Sequence, residues 1–239
     1  MGAAGLSLAV VVAAAGFGTR LDSGLPKQYV PLLGIPMLQR TLSALSSCPE
    51  VDAIAVAVNP QDVEYCEREI QLESIEKVVA VAAGGEARAL SVRNGLRALA
   101  EKGTWDLVGV HDGARPLVTC AEITRAVAAL AADPELDGAV PAIPCVDTIK
   151  IVDDRHLIVE TPARHTLWRA QTPQVFRWDV LMKAYDRPDA ELVDHTDDAA
   201  LVEAAGGRVI VVEGSAENFK VTDKTDLRRA EHILAERRR

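Results

Sequence analysis

The stretch that decides the fold is LAVVVAAAGFGTRLDSGLPKQY, residues 8–29. It begins with an apolar run that lacks polar alternation, which is typical of a strand buried on both faces of a sheet. Gly16 and Gly18 follow the run and let the backbone approach an anion closely. Arg20 and Lys27 come next and supply positive charge. The pattern predicts a phosphate-binding loop at the end of the first strand.

Two common phosphate-binding motifs do not match this stretch. A Walker loop requires G-x-x-x-x-G-K-[ST], which the chain lacks. The dinucleotide fingerprint G-x-G-x-x-G fails at its third glycine, because Leu21 stands there. A lone Gly-x-Gly is a weak signal, but an arginine followed by Pro26-Lys27-Gln28 a short loop later makes the pattern more specific.

Along the rest of the chain, short apolar runs alternate with segments of helical periodicity. The predicted strands are Leu8–Ala14, Ala53–Val58, Val78–Ala82, Leu107–His111, Gly138–Ala142 and Val209–Glu213. The predicted helices are Met37–Leu45, Asp62–Ile70, Ala87–Ala100, Ala121–Ala131, Ala199–Ala205 and Leu227–Arg238. This order predicts an α/β fold, with a single doubly wound, mostly parallel sheet flanked by helices in one domain, 1–239. Ligands of such folds bind beyond the carboxyl ends of the strands.

Residues 147–171 interrupt the alternation. Thr148–Val152 alternate in polarity, Asp153-Asp154 suggest a turn, and Leu157–Val159 are apolar again. This pattern predicts an inserted β-hairpin arm. Because its apolar strands would be exposed on a free appendage, we expect the arm to form a homodimer contact. A hairpin folded onto its own domain is the alternative.

Composition excludes several classes of protein. Acidic residues outnumber basic ones by 35 to 26, giving a net charge of −9, which argues against a nucleic-acid partner. The four cysteines show no C-x-x-C spacing, so neither a disulfide framework nor a zinc site is expected. The apolar start is too short to cross a bilayer and lacks the basic region of a secretion signal. We therefore expect a cytoplasmic location and no membrane partner.

Six motifs together resemble the 2-C-methyl-D-erythritol 4-phosphate cytidylyltransferase family. In chain order they are AAGFGTRL…PKQY, GGEARALSVRNGL (84–96), HDGARP (111–116), DTIK (147–150), RHTLWRAQTPQVF (164–176) and ENFKVT (217–222). That family joins CTP to methylerythritol phosphate and releases pyrophosphate in the non-mevalonate isoprenoid pathway. The resemblance covers nearly the whole chain. It implies CTP and a polyol phosphate as partners and Mg²⁺ as cofactor.

The resemblance also implies roles for individual residues. The implied nucleotide-binding residues are Ala14, Ala15, Gly16, Gly18, Gly84, Gly85, Glu86, Ser91 and Asp112, with Asp112 also the metal ligand. The implied acceptor-binding residues are Arg115, Thr148, Arg164, Thr172 and Lys220. The implied catalytic residues are Arg20, Lys27, Arg164 and Lys220. Many family members carry Asp at the position of Glu86, so base recognition here is expected from the backbone.

The chemistry of this reaction fits such a set. A phosphomonoester has its second pKa near about 6, so the attacking oxygen is already largely ionised at neutral pH. No general base is required, and His111, at the end of a buried strand, is expected to be hydrogen-bonded core. The task is to bring two polyanions together and to stabilise charge on the leaving pyrophosphate. Asp112 supplies the oxygen ligand that Mg²⁺ prefers.

Three other functions remain open at this point. A ribitol 5-phosphate cytidylyltransferase shares the nucleotide motifs and differs in its acceptor. A hexose 1-phosphate nucleotidyltransferase usually has a longer spacer than that between Arg20 and Lys27. A non-catalytic CTP-binding regulator would have no need to keep Lys27, Asp112 and Lys220 together.

Overall fold

The computed structural model describes residues 5–16, 25–70 and 72–237. The strands are β1 (Leu8–Ala14), β2 (Pro31–Leu32), β3 (Ile35–Pro36), β4 (Ala53–Val58), β5 (Val78–Ala83), β6 (Leu107–Asp112), β7 (Gly138–Pro144), β8 (Ile151–Val152), β9 (Ile158–Glu160), β10 (Trp168–Ala170), β11 (Gln174–Arg177) and β12 (Val209–Glu213). The helices are α1 (Met37–Ser46), α2 (Val63–Glu69), α3 (Arg88–Ala100), α4 (Cys120–Ala132), α5 (Trp178–Tyr185), α6 (Asp189–Val193), α7 (Asp198–Ala204) and α8 (Lys224–Glu236).

The main sheet has eight strands, and β1 lies near its centre. β1 pairs in parallel with β4 on one side and β6 on the other, and β4 pairs in parallel with β5. Beyond β6 comes antiparallel β11, then β7, and parallel β12 forms the edge. The chain order of the strands therefore reverses between β1 and β6, where α/β folds bind their ligands.

Both faces of this sheet are covered, which explains the apolar strands. In β1, Leu8, Val10 and Val12 pack into a core with α1, α2 and α4. The intervening Ala9 and Val11 pack into a second core with α3, α5 and α7. A strand with period-two side chains buried on both sides has no solvent-facing position left for a polar residue. The predicted doubly wound, mostly parallel sheet flanked by helices is confirmed.

The sequence prediction missed several elements of this architecture. The segment 168–177 contains β10 and β11. These strands are short, and their polar residues Arg169 and Gln174 interrupt the apolar run that would predict a buried strand. Helices α5 and α6 and the small β2–β3 ribbon were also not predicted. The other elements lie where they were predicted, with ends shifted by a few residues. The most consequential shift extends β6 by one residue, so that Asp112 ends the strand.

The inserted hairpin is present as β8 and β9, which pair antiparallel. The predicted arm, 147–171, is too long at its carboxyl end, because Trp168 already pairs with Pro144 of β7 in the main sheet. That pairing ties the base of the arm to the sheet. None of the helices in the described parts of the chain is long and apolar enough to span a membrane.

Candidate active site

A cleft of about 470 Å³ opens at the carboxyl ends of β1 and β6. It lies at the point where the strand order reverses, as the sequence predicts. Its lining includes nine of the predicted site residues: Ala14, Ala15, Gly16, Lys27, Gly85, Glu86, Ser91, Asp112 and Lys220. It also includes Gln28, Arg88 and Thr222, to which the sequence analysis assigned no role. Gly18 and Arg20 lie outside the described residues.

One wall of the cleft is the loop from β5 to α3. Gly84 has to be glycine, since a Cβ there would stand 2.4 Å from the Ala15 Cβ and 3.0 Å from the Val58 carbonyl oxygen. The Gly84 amide donates to that carbonyl, and the Gly85 amide donates to the Ser91 hydroxyl at 3.1 Å. Ser91 Oγ in turn donates to the Ala87 carbonyl. Ser91 therefore shapes the loop from within, since its hydroxyl contacts the Gly85 amide and the carbonyl groups of Gly85 and Ala87.

The opposite wall carries Lys27, on a helical turn that follows the glycine loop. The turn is anchored by its neighbours, because Gln28 and Tyr29 are buried and Tyr29 contacts the Tyr65 ring edge-on. Lys27 lies close enough to Asp226 of α8 for its charge to lower the pKa of that carboxyl, together with hydrogen bonds from Thr222 that outweigh burial. The buried neighbours of Lys27 thus place its side chain at the cleft.

Asp112 forms the floor of the cleft and gathers three cations. Its Oδ1 accepts from Arg88 Nε at 3.2 Å. Its Oδ2 lies 3.0 Å from Lys220 Nζ and 3.4 Å from Arg115 Nε. Burial alone would raise the pKa of this carboxyl, but the charges of Arg88, Lys220 and Arg115 outweigh it and hold the pKa well below its ordinary value. Asp112 is therefore ionised at neutral pH, in a strongly positive surrounding.

Lys220 reaches Asp112 because the segment 215–222 is fixed to the sheet. Asn218 is fully buried and donates from Nδ2 to Glu122 of α4 and to the Thr172 carbonyl, both at 2.8 Å. The Asn218 carbonyl accepts from Arg115 Nη1 at 2.8 Å. Asn218 was not predicted to matter. Its place inside the ENFKVT motif, beside Lys220, is the signal that was available.

His111 lies behind Asp112 and is fully buried. Its Nδ1 is 2.9 Å from the Thr172 hydroxyl, and its Nε2 is 3.2 Å from the Arg115 carbonyl. The Arg115 carbonyl can only accept, so Nε2 carries the N–H. In the neutral ring Nδ1 then accepts from the Thr172 hydroxyl, whose oxygen accepts from the Asp112 amide. Burial lowers the pKa of His111 to about 4, so it is neutral. It is hydrogen-bonded core, as predicted.

The five acceptor residues predicted from the resemblance lie in three different settings. Arg115 and Lys220 meet at Asp112, whereas Thr148 and Arg164 lie on the exposed arm and do not line the cleft of their own chain. Arg164 Nη1 donates to the Val146 carbonyl at 3.2 Å, within the arm. Thr172 is buried, and its hydroxyl is engaged by His111 and Asp112. Its role as an acceptor ligand stays a prediction.

The family profile and the sequence relatives of this chain carry the same name. The family profile of 2-C-methyl-D-erythritol 4-phosphate cytidylyltransferase (IspD) matches residues 8–236. A protein of that name from Geobacter metallireducens is 41% identical over 97% of this chain and 99% of its own length. A relative of the same name from Alkaliphilus metalliredigens is 43% identical over 96% of this chain and 93% of its own length.

Solved structures agree with the sequence relatives. The 4-diphosphocytidyl-2C-methyl-D-erythritol synthase from Anaerococcus prevotii superimposes with a TM-score of 0.82 at 30% identity, covering 97% of each chain. The cytidylyltransferase from Francisella tularensis gives a TM-score of 0.79 at 33% identity, over 95% of this chain and 99% of its own. With the motifs in order and with Gly16, Lys27, the loop from β5 to α3 and Asp112 lining one cleft, this chain belongs to the 2-C-methyl-D-erythritol 4-phosphate cytidylyltransferase family.

Proposed function

We propose that this protein transfers the cytidylyl group of CTP to 2-C-methyl-D-erythritol 4-phosphate and releases pyrophosphate. The observation that carries the proposal is the convergence of Lys27, Lys220 and Arg88 on a cleft whose floor is the ionised Asp112. Such a site can gather two phosphate-bearing substrates in a protein whose net charge is −9. The relatives described above carry this activity in their names.

The chemistry is then one of placement and charge. Within the described part of the chain, the lining of the cleft includes no histidine, and His111 is buried with both ring nitrogens engaged. A base is not required, because the acceptor phosphate is already ionised at neutral pH. Lys27 stabilises the charge that grows on the departing pyrophosphate, and Lys220 orients the acceptor phosphate toward the α-phosphorus.

Asp112 fits the role of a magnesium ligand in part. Its carboxylate is ionised and lines the cleft. Of its ion pairs with the described cations, Oδ2 makes those with Lys220 and Arg115, and Oδ1 makes the one with Arg88. Among the residues that the structure describes, no group of three or more His, Cys, Asp or Glu side chains could hold a metal ion. Mg²⁺ commonly takes one or two carboxylates and fills its other positions with phosphate and water. We therefore propose that magnesium enters with the nucleotide, shielding the triphosphate charge, and binds the free protein weakly.

We further propose a homodimer in which each site is composite. The arm exposes apolar side chains that a soluble appendage would not favour: Ile158 and Val159 are each 62% exposed. Thr148 and Arg164 lie on the same arm, away from the cleft of their own chain. An arm that crosses to a second copy would cover its apolar strands and bring Arg164 to the partner's acceptor site.

A mixed dimer tests this arrangement. In a dimer of one Lys27→Ala chain and one Arg164→Ala chain, one site draws both intact residues and the other draws neither. Random exchange makes half of the dimers mixed, each with one working site, so about one quarter of wild-type activity should return at limiting acceptor concentration. The assay is pyrophosphate release before and after subunit exchange of the two inactive proteins.

The matched control is Arg155→Ala, since Arg155 is an exposed arginine at the turn of the same hairpin. It should leave the KM for methylerythritol phosphate unchanged, while Arg164→Ala raises it and leaves CTP binding intact. A monomeric protein by light scattering, or no recovery although subunits exchange, would contradict the shared site.

The choice of nucleotide follows from the loop between β5 and α3, residues 84–87, which we call the base loop. The Gly84 and Gly85 amides are already used within the protein. A carbonyl oxygen has two lone pairs, so we propose that carbonyl groups of this loop accept from the base. Carbonyls accept from the N4 amine of cytosine but oppose the O4 of uracil, and each buried unpaired polar group costs about 1–3 kcal/mol. We expect kcat/KM for CTP to exceed that for UTP by about tenfold or more. Equal values for the two nucleotides would exclude base recognition by this loop.

The experiment that tests the function itself is pyrophosphate release with a panel of substrates. Purified protein is assayed with CTP, UTP and ATP, each with methylerythritol phosphate or ribitol 5-phosphate. Turnover only with CTP and methylerythritol phosphate supports the proposal. Preference for ribitol phosphate would replace the acceptor, and CTP binding without turnover would favour the regulator.

A further inference from the structure

A buried carboxylate outside the cleft is linked directly to its floor. Asp198 is the first residue of α7 and is fully buried. Its Oδ2 accepts from Arg88 Nη2 at 2.8 Å, and its Oδ1 accepts from the Tyr185 hydroxyl. The same Arg88 donates from Nε to Asp112 Oδ1. One guanidinium therefore bridges a carboxylate in the cleft and a carboxylate behind it.

The structure around Asp198 is rigid. The preceding Asp197 caps α7 by accepting from the Ala200 amide, and it also accepts from Gln174 Nε2 at 2.8 Å. Gln174 Oε1 accepts from the Ala199 amide at 2.9 Å. The start of α7 is thus fastened to β11, the antiparallel strand next to β6. These hydrogen bonds fix the start of α7, so Asp198 is a well-anchored partner for Arg88.

Because Arg88 lines the cleft, its contact with Asp198 affects how a ligand can bind there. Arg88 begins α3, immediately after the glycine loop, and its side chain lines the cleft. A long, flexible arginine loses substantial conformational freedom when it is held in one place. Two carboxylates, Asp112 at Nε and Asp198 at Nη2, supply that restraint before any ligand arrives. The base loop and the cation at its end are thereby pre-arranged.

We propose that Asp198 and Tyr185 are positioning residues for the nucleotide: together they hold the Arg88 guanidinium in the cleft wall, against Asp112 and beside the base loop. A buried anion is costly unless it is paired and hydrogen-bonded, and Asp198 is both. The inference rests on the proposed function, because it takes CTP as the ligand of the cleft.

The test compares Asp198→Asn and Tyr185→Phe with a matched control. Asp189→Asn breaks another ion pair between α3 and the 186–198 segment, that of Arg93 Nη2 and Asp189 at 2.7 Å, but this pair does not line the cleft. The readouts are the Kd of CTP by calorimetry without acceptor, the KM of each substrate, and the melting temperature. The turnover of the wild-type protein, measured in the same series, tests the proposed function separately.

We expect Asp198→Asn to weaken CTP binding by about tenfold or more, the loss of one charge-assisted contact, with the KM of methylerythritol phosphate nearly unchanged. Tyr185→Phe should shift the CTP Kd in the same direction by less, and Asp189→Asn should leave it unchanged. In an Arg88→Ala background, adding Asp198→Asn should cause no further loss, because the anchor then has nothing to hold.

Either of two results would overturn the inference. One is an unchanged CTP Kd in the folded variants. The other is an equal loss for both substrates together with a lower melting temperature, which would indicate a merely structural role. If Asp198→Asn does not fold, Tyr185→Phe decides alone, because it keeps the ring packing and removes only the hydroxyl donor.

Discussion

Replacing Lys27 by alanine should leave a folded protein that has lost most of its turnover. Lys27 lines the cleft on a turn whose neighbours are buried, so its ammonium group can be removed without disturbing the core. Deleting one donor that stabilises developing charge typically costs about 2.7–4 kcal/mol, or about 10²–10³ in kcat. Pyrophosphate release under saturating substrates measures this loss.

The control for this prediction is Lys102→Ala, because Lys102 is an exposed lysine just after α3 and does not line the cleft. It should turn over like the wild type. We expect the same loss for Arg20→Ala as for Lys27→Ala, although Arg20 lies outside the described residues. Wild-type turnover of purified Lys27→Ala protein would remove Lys27 from the catalytic machinery.

Replacing Asp112 by asparagine should affect both stability and metal use. The change removes the anion that Arg88, Arg115 and Lys220 share, so the three cations face one another with Asp198 as the remaining carboxylate partner of Arg88. Breaking a buried ion pair costs several kcal/mol, but Lys220 and Arg88 reach solvent and can relax, so we expect about 2–3 kcal/mol in the free energy of unfolding. Denaturant titration measures it. The Mg²⁺ concentration at half-saturation should also rise, since an amide is a poorer ligand.

The pH dependence separates the ion-pair contribution of Asp112 from a packing effect. The three cations lower the pKa of Asp112 in the folded state, below its unfolded value of about 3.9. Its ion pairs therefore stabilise the fold fully above that pH, and this contribution is lost as the pH falls below it. The stability difference between wild type and Asp112→Asn should be constant near neutral pH and shrink below about pH 4. A difference that does not change with pH would assign the loss to packing instead.

Much of the fold follows from local patterns in the sequence. The apolar runs of β1, β4 and β6 predict parallel strands because covered strands have no polar face. The glycine loop after β1 and the HDGARP motif after β6 predict a site at one sheet edge, since parallel strands end on the same side. β11 escaped prediction because Gln174 lies within it, and its antiparallel direction depends on pairing with β6 and β7.

The amino-acid sequence by itself determined the layered α/β architecture, the hairpin arm and most of the residues of the cleft. The tertiary structure decided which polar side chains meet: Arg88 with Asp112 and Asp198, Lys220 with Asp112, and Asn218 with Glu122. Helical and strand periodicity carries information over a few residues, whereas Arg88 and Asp198 are 110 positions apart. Their contact exists because packing α3 and α7 on one face of the sheet brings two distant helix starts to the same edge.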